Sequence, residues 1–275
     1  MIAKASCPSS LSFIFGIIKD KDILKTGSIG IGCTVNKRVE VEASINKKTL
    51  ILFNGKIISL PTVTDVIKAL TDKNILVQIK SELPLGCGFG ISGAAALACG
   101  FALNKLIKFQ KTPFELIKIA HKSEIRNRTG LGTVGTETTG GFLVKKSAGI
   151  PVTDFFRLPF EGKKLYALIK GKIETPSILN NNKMMEKITS SARNILKKIK
   201  KDTTLEEILA MSLEFDKESG LFDDTNLTEI IKDIKGNGGN ACMAAIGQVI
   251  ISNIKLKQYS KFQVKELTIT NSHAS

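Results

Sequence analysis

The chain has 275 residues, 43% of them apolar, which suffices for one large domain or two packed units and is too apolar for a disordered chain. Its five cysteines, Cys7, Cys33, Cys87, Cys99 and Cys242, are scattered with no C-x-x-C pair, which argues against a disulfide framework and a cysteine zinc site. The net charge of +15 attracts nucleotides and other anionic substrates, while no Trp and only 2 Tyr leave little on which nucleic-acid bases could stack.

No apolar run reaches the length of a membrane span and no leader pattern opens the chain, so a soluble, cytoplasmic protein with neither membrane nor nucleic acid as partner is expected. The first 60 residues read as short strands and turns of an antiparallel sheet, with alternation over 38–43 and a run Leu50–Phe53 before the Asn54-Gly55 turn. A helix is expected over 62–73, a strand over Ile75–Ile79, then a glycine-rich loop running into an apolar helix through Leu106. Thr112-Pro113 is a capping and first-turn pair for a helix through about Arg128, with Gly130 placed to stop it. A second glycine-rich loop spans Gly130 to Gly141 and leads to a strand over Gly141–Val144.

Composition shifts after Gly149-Ile150-Pro151, and Leu165–Ile169 reads as a strand opening a second unit, with the boundary between 152 and 162. Two helices follow. The first carries Ile188, Ala192, Ile195, Leu196 and Ile199 at helical spacing and ends in the basic run Lys197–Lys201, a solvated face. The second is capped at Thr203-Thr204, has acids in its first turn and closes at Gly220. The apolar stretch Ala241–Ile251 and an alternating strand over Phe262–Ile269 complete the chain.

The chemistry concentrates in Pro84-Leu85-Gly86-Cys87-Gly88-Phe89-Gly90-Ile91-Ser92-Gly93-Ala94-Ala95. Glycines let backbone N–H groups approach phosphate oxygens, and a helix starting directly after them adds unpaired amides and the positive end of its dipole. The run lacks the Gly-Lys-Ser/Thr of the Walker loop and the glycine spacing of dinucleotide-binding turns. On one predicted helix, His121 and Glu124 lie three residues apart and can face one crevice, although Glu124 can equally pair with Arg128. Ser28 lies in the glycine-rich segment Gly27–Gly32, where a plain turn serine is the alternative.

The run P-x-G-x-G-F-G-x-S-G-A resembles the second motif of the GHMP kinases, which act on galactose, homoserine, mevalonate and phosphomevalonate. Within that superfamily the chain is most similar to the archaeal pantoate kinases. The narrower likeness is carried by Ala5–Ser10, Thr26–Gly32, Ala120–Glu124 continuing to Thr129–Gly132, Gly140-Gly141 and Gly149-x-Pro151, and more loosely by Gly238-Gly239 and 242–247.

The resemblance implies an α+β, two-domain GHMP kinase fold: an N-terminal ATP-binding domain like ribosomal protein S5 domain 2 over 1–157, and a ferredoxin-like C-terminal domain over 158–275. It implies that the loop from Pro84, with Gly86, Cys87, Gly88, Phe89, Gly90, Ile91, Ser92, Gly93 and Ala94, binds ATP. Ser92 and Glu124 would then hold Mg2+, while Ser28, His121, Arg126 and Arg128 lie on the substrate side. A homodimer and a small carboxylate alcohol, pantoate, as acceptor also follow from it. Other acceptors of the shikimate, homoserine or mevalonate type, or a non-catalytic nucleotide-binding regulator, are the competing expectations.

Three positions depart from the relatives. Thr133 stands where they carry an aspartate, and Ile29 where they carry an arginine that can meet a carboxylate, leaving Lys25, Arg126 or Arg128 to replace it. Ser10 takes the place of the lysine of mevalonate kinase-like members. Loss of a base is tolerable in phosphoryl transfer, whose loose transition state depends mainly on positioning and charge stabilisation, and Thr133 is expected to help orient the acceptor hydroxyl.

Overall fold

The structure, a computed structural model, describes residues 1–108, 111–171, 181–221, 225–244, 248–259 and 261–274. In place of the short strands expected at the start, it has two long ones, β1 (Ile2–Ile18) and β2 (Gly27–Ile45), paired antiparallel along their length. Register shifts between Pro8 and Ser10 and between Ser12 and Ile14 break the alternation that reveals a strand without ending the strand itself.

Next come β3 (Leu50–Phe53), the turn at Asn54-Gly55 and β4 (Lys56–Ile57). The pairs within the first 60 residues, β1 with β2 and β3 with β4, are antiparallel as expected; helix α1 (Pro61–Leu70) then crosses over to β5 (Ile75–Ser81), which pairs parallel with β3. Helix α2 (Ile91–Leu106) follows the glycine loop; its alanine run favours helix, and burial on nearly every side makes it the centre of the core against β1 and β2.

Helix α3 (Pro113–Asn127) starts with the expected cap: Thr112 accepts from the Glu115 amide, and the Glu115 carboxylate accepts from the Thr112 amide. It is closed by Arg128 in the left-handed region at φ 52°, not by Gly130. The stretch expected to be a loop contains a further helix, α4 (Thr133–Thr139), which packs against α2, α3, β1 and β2. Its Thr/Gly-rich sequence has poor intrinsic helix propensity, and the surrounding tertiary contacts override it.

The remaining elements are β6 (Phe142–Lys145), β7 (Phe155–Leu158), β8 (Lys164–Gly171), α5 (Asn182–Leu196), α6 (Leu205–Ser219), α7 (Thr225–Gly236), β9 (Ala241–Met243), β10 (Gln248–Ser252) and β11 (Gln263–Thr270). Thr204 and Gly220 cap α6 as expected. Helix α7 was not anticipated, although Leu227, Ile230, Ile231 and Ile234 recur at helical spacing and are buried. Of the apolar stretch 241–251 and the segment 242–247 singled out in the sequence, residues 245–247 lie outside the described residues. Strand β11 bonds to both β2 and β8, joining early and late strands in one sheet, 11-stranded among the described residues. Among the described residues, no helix is long and apolar enough to cross a membrane.

Candidate active site

The glycine loop alternates between two environments. The side chains of Cys87, Phe89 and Ile91 are buried, while the intervening Gly86, Gly88 and Gly90 turn through positive φ of 83°, 83° and 68°. The apolar side chains thus pin the loop and leave its glycine backbone as the accessible surface. Gly90 is also the N-cap of α2, and Ser92 and Gly93 lie in the first turn, whose amides have no intrahelical acceptor. Within this loop, only the backbone and Ser92 present polar groups; Cys87, Phe89 and Ile91 contribute by holding the turn. The Ser92 hydroxyl shares a hydrogen bond of 2.9 Å with Thr62 of α1.

Two buried carboxylates converge on the same helix start. A methyl group at Gly93 would lie 3.2 Å from Glu137 Oε2 and 3.3 Å from Glu124 Oε1. Glu124, on α3, accepts from the Val134 amide at 3.4 Å and from Thr133, so the beginning of α4 holds it in place. Burial raises its pKa, opposed by those hydrogen bonds. Glu137, on α4, accepts from Ser10 Oγ at 3.0 Å and from the Cys7 thiol at 3.9 Å, and burial, then Glu124, raises its pKa well above 4.5. Gly130 serves this cluster instead of the helix cap, because a side chain there would overlap Glu124 Oε1.

A buried cation completes the group. Lys145, the last residue of β6, donates to the Gly132 carbonyl at 3.0 Å and to Thr136 Oγ1 at 3.1 Å. Burial lowers its pKa to about 8, against the pull of Glu124 and Glu137. A side chain at Gly132 would overlap Ser28 Oγ and come within 2.8 Å of Lys145 Nζ, so the hydroxyl of Ser28 and the ammonium of Lys145 flank one backbone position.

The sequence-predicted residues are distributed as follows. Glu124 and Thr133 meet the start of α2 at Gly93, and Ser28 lies beside Gly132, the residue before Thr133. Thr133 turns its hydroxyl toward Glu124 and its methyl toward Gly93, so the hydroxyl helps to hold the carboxylate in place. His121 is buried, with Nε2 at 3.1 Å from the Thr26 carbonyl and 3.2 Å from that of Ile23, which fixes the proton on Nε2 and leaves Nδ1 as an acceptor. Among the described residues, that Nδ1 has no hydrogen-bond partner. Desolvation lowers the His121 pKa and keeps the ring neutral at physiological pH. Arg126, Arg128 and Lys25 are exposed, and Ile29 packs toward Gly16 and α5.

A buried cation does lie beside Ser28, but it is Lys145 and not one of Lys25, Arg126 and Arg128, which are exposed. Glu137 was missed as well. The available signal for Lys145 was a lysine directly following the apolar Phe142-Leu143-Val144; for Glu137 it was a lone acid in a threonine and glycine run.

A glycine loop leading into a helix, faced by two carboxylates and a lysine, defines a phosphotransferase site of the GHMP kinase class, and residues 61–141 match the GHMP kinases N terminal domain. The chain is 31% identical over 247 residues to pantoate kinase of Methanocaldococcus jannaschii, covering 88% of this chain and 89% of that protein. It is 32% identical over 225 residues to pantoate kinase of Methanospirillum hungatei, covering 79% and 75%. The fold matches a solved structure described as a phosphotransferase related to the CoA biosynthesis pathway, with a TM-score of 0.87 and 22% identity over 100% of this chain and 98% of that one. The chain belongs to the pantoate kinase family of the GHMP kinases.

Proposed function

We propose that this protein transfers the γ-phosphoryl group of ATP to the primary hydroxyl of (R)-pantoate, giving (R)-4-phosphopantoate for coenzyme A synthesis. The observation that carries this reading is the juxtaposition of a phosphate-binding helix start with a buried lysine and serine placed for a carboxylate. The amides of Gly86 to Gly93 bind the triphosphate, aided by the α2 dipole, while that of Ala94 is taken by the Gly90 carbonyl at 3.0 Å. Lys145 and Ser28 hold the acceptor's carboxylate, and His121 Nδ1 accepts a hydrogen bond from one of its hydroxyls. Arg126 and Arg128, exposed near the end of α3, draw anionic substrates toward the mouth.

The Ser92 hydroxyl and the Glu124 carboxylate suit Mg2+, which takes few protein oxygens and retains waters. Held by these two residues, such an ion would supply neutralisation of phosphate charge. Thr133 keeps Glu124 oriented for it. Glu124→Ala is therefore expected to abolish turnover at limiting Mg2+, and Thr133→Ala to raise the half-maximal Mg2+ concentration by on the order of 10–100-fold. Mg2+ titrations of steady-state activity check both; a Glu124→Ala variant active at limiting Mg2+ contradicts the metal assignment.

The finer organisation proposed is an S5-like unit over 1–157 and a ferredoxin-like unit over 158–275, with ATP in the crevice between them, in a cytoplasmic homodimer. Light scattering after size exclusion tests the dimer. For the reaction, an ADP-release assay across pantoate, shikimate, homoserine and mevalonate is expected to show turnover confined to pantoate. Turnover confined to another alcohol overturns the acceptor, and ATP binding without turnover of any overturns the kinase reading.

A further inference from the structure

The site contains one carboxylate that the reaction as described leaves unused. We infer that Glu137 is the group that accepts the proton of the acceptor hydroxyl, a role displaced one helical turn from Thr133. The inference rests on the phosphotransfer reading above.

Position is the first argument. Residues 133 and 137 are four apart on α4 and share a face. At 133 that face offers the loop only a methyl group, whose carbon would be 3.0 Å from a methyl placed on Gly93. One turn later, Glu137 brings Oε2 to 3.2 Å from the same point, and its Oε1 would be overlapped by any side chain at Gly90. Glu137 is thus directed at the start of α2, where the transferable end of the triphosphate is held.

Its partners are the second argument. Glu124 is fixed by the first residues of α4, as a metal-binding carboxylate should be. Among the described residues, the Glu137 carboxylate accepts from a hydroxyl and a thiol, neutral donors that can rotate when an acceptor hydroxyl arrives. The ionisable groups facing it are Cys7 from β1, Glu124 from α3 and Lys145 from β6. Burial raises its proton affinity, which makes a carboxylate a better base near neutral pH than one in water. A buried acid in this setting costs stability that an isosteric amide would not, so packing alone gives no reason for a carboxylate here.

In the step, the acceptor's O–H proton passes to Glu137 as its oxygen bonds to the γ-phosphorus. The bond from phosphorus to the β,γ-bridging oxygen breaks, and ADP departs with that electron pair. Glu137 then releases the proton to solvent as product leaves.

The test compares the parent enzyme with Glu137→Gln, Glu137→Asp and the double variant Thr133→Asp/Glu137→Gln, using whichever panel alcohol the parent turns over. Parent turnover of an alcohol other than pantoate thus overturns the acceptor above and leaves this comparison intact. Glu137→Gln is expected to lower kcat by on the order of 10²–10⁴ while both KM values stay within about threefold. Its Mg-ATP affinity by calorimetry is expected to match the parent's. Glu137→Asp should retain more kcat than the amide, and the double variant should recover at least about tenfold by restoring a carboxylate one turn earlier. A Glu137→Gln kcat within about threefold of the parent overturns the inference. Equal losses in Glu137→Asp and Glu137→Gln also overturn it, since they would mark a packing role, and this comparison stands even if one variant folds poorly.

Discussion

Lys145→Met is expected to lower kcat/KM for the acid acceptor by on the order of 10²-fold or more, with KM for ATP nearly unchanged. The magnitude follows from removing one partner of a buried charge pair, which costs about 2–5 kcal/mol because the other charge is left without its counter-ion. The pH dependence separates this role from a general structural one. Burial lowers the Lys145 pKa to about 8, so the ammonium is present below that value and lost as pH rises through it. Parent kcat/KM for a carboxylate acceptor should therefore fall above about pH 8. Lys145→Arg stays charged across this range and should lack that alkaline limb, even if its longer side chain lowers the plateau. A parent profile flat to pH 10, on the order of two units past the pKa, would remove Lys145 from carboxylate recognition.

The second large effect concerns the loop. Gly90→Ala forces a side chain into the left-handed region at φ 68° and into overlap with Ser10 Oγ and Glu137 Oε1. The backbone penalty is about 1–2 kcal/mol, and overpacking adds about 1–3 kcal/mol. Movement that relieves the overlap misaligns the amides ahead of α2, so kcat/KM for ATP is expected to fall by on the order of 10²–10³. Gly162→Ala is the control: it has a similar φ of 80° with no atom within 4 Å of the added carbon. It should lose thermal stability comparable to the backbone penalty alone and keep full activity. Calorimetric ATP titration and thermal melting of both variants check the pair, and equal activity losses would show that backbone strain, not closeness to the site, is responsible.

The residues legible from sequence share one property: they act through local geometry. The turn at 86–90 is legible because the left-handed conformations of Gly86, Gly88 and Gly90 ahead of a helix favour glycine. The Thr112 and Thr204 caps are readable because a cap and its amide are three residues apart. Helix α4 was hidden because threonine and glycine carry weak helix propensity, and packing against α2, α3, β1 and β2 supplies what propensity does not.

Sequence alone determined the glycine loop before a helix, the kinase superfamily and the candidates Ser92, Glu124 and Ser28. Tertiary structure decided which charges meet. Lys145 belongs to a strand more than a hundred residues from Ser28, and Glu137 bonds to Ser10 across a separation of 127 residues. Such a pairing leaves no periodicity in the chain, because the burial and proximity that make a lysine or glutamate a candidate site residue exist only once β6 and α4 have packed against the loop.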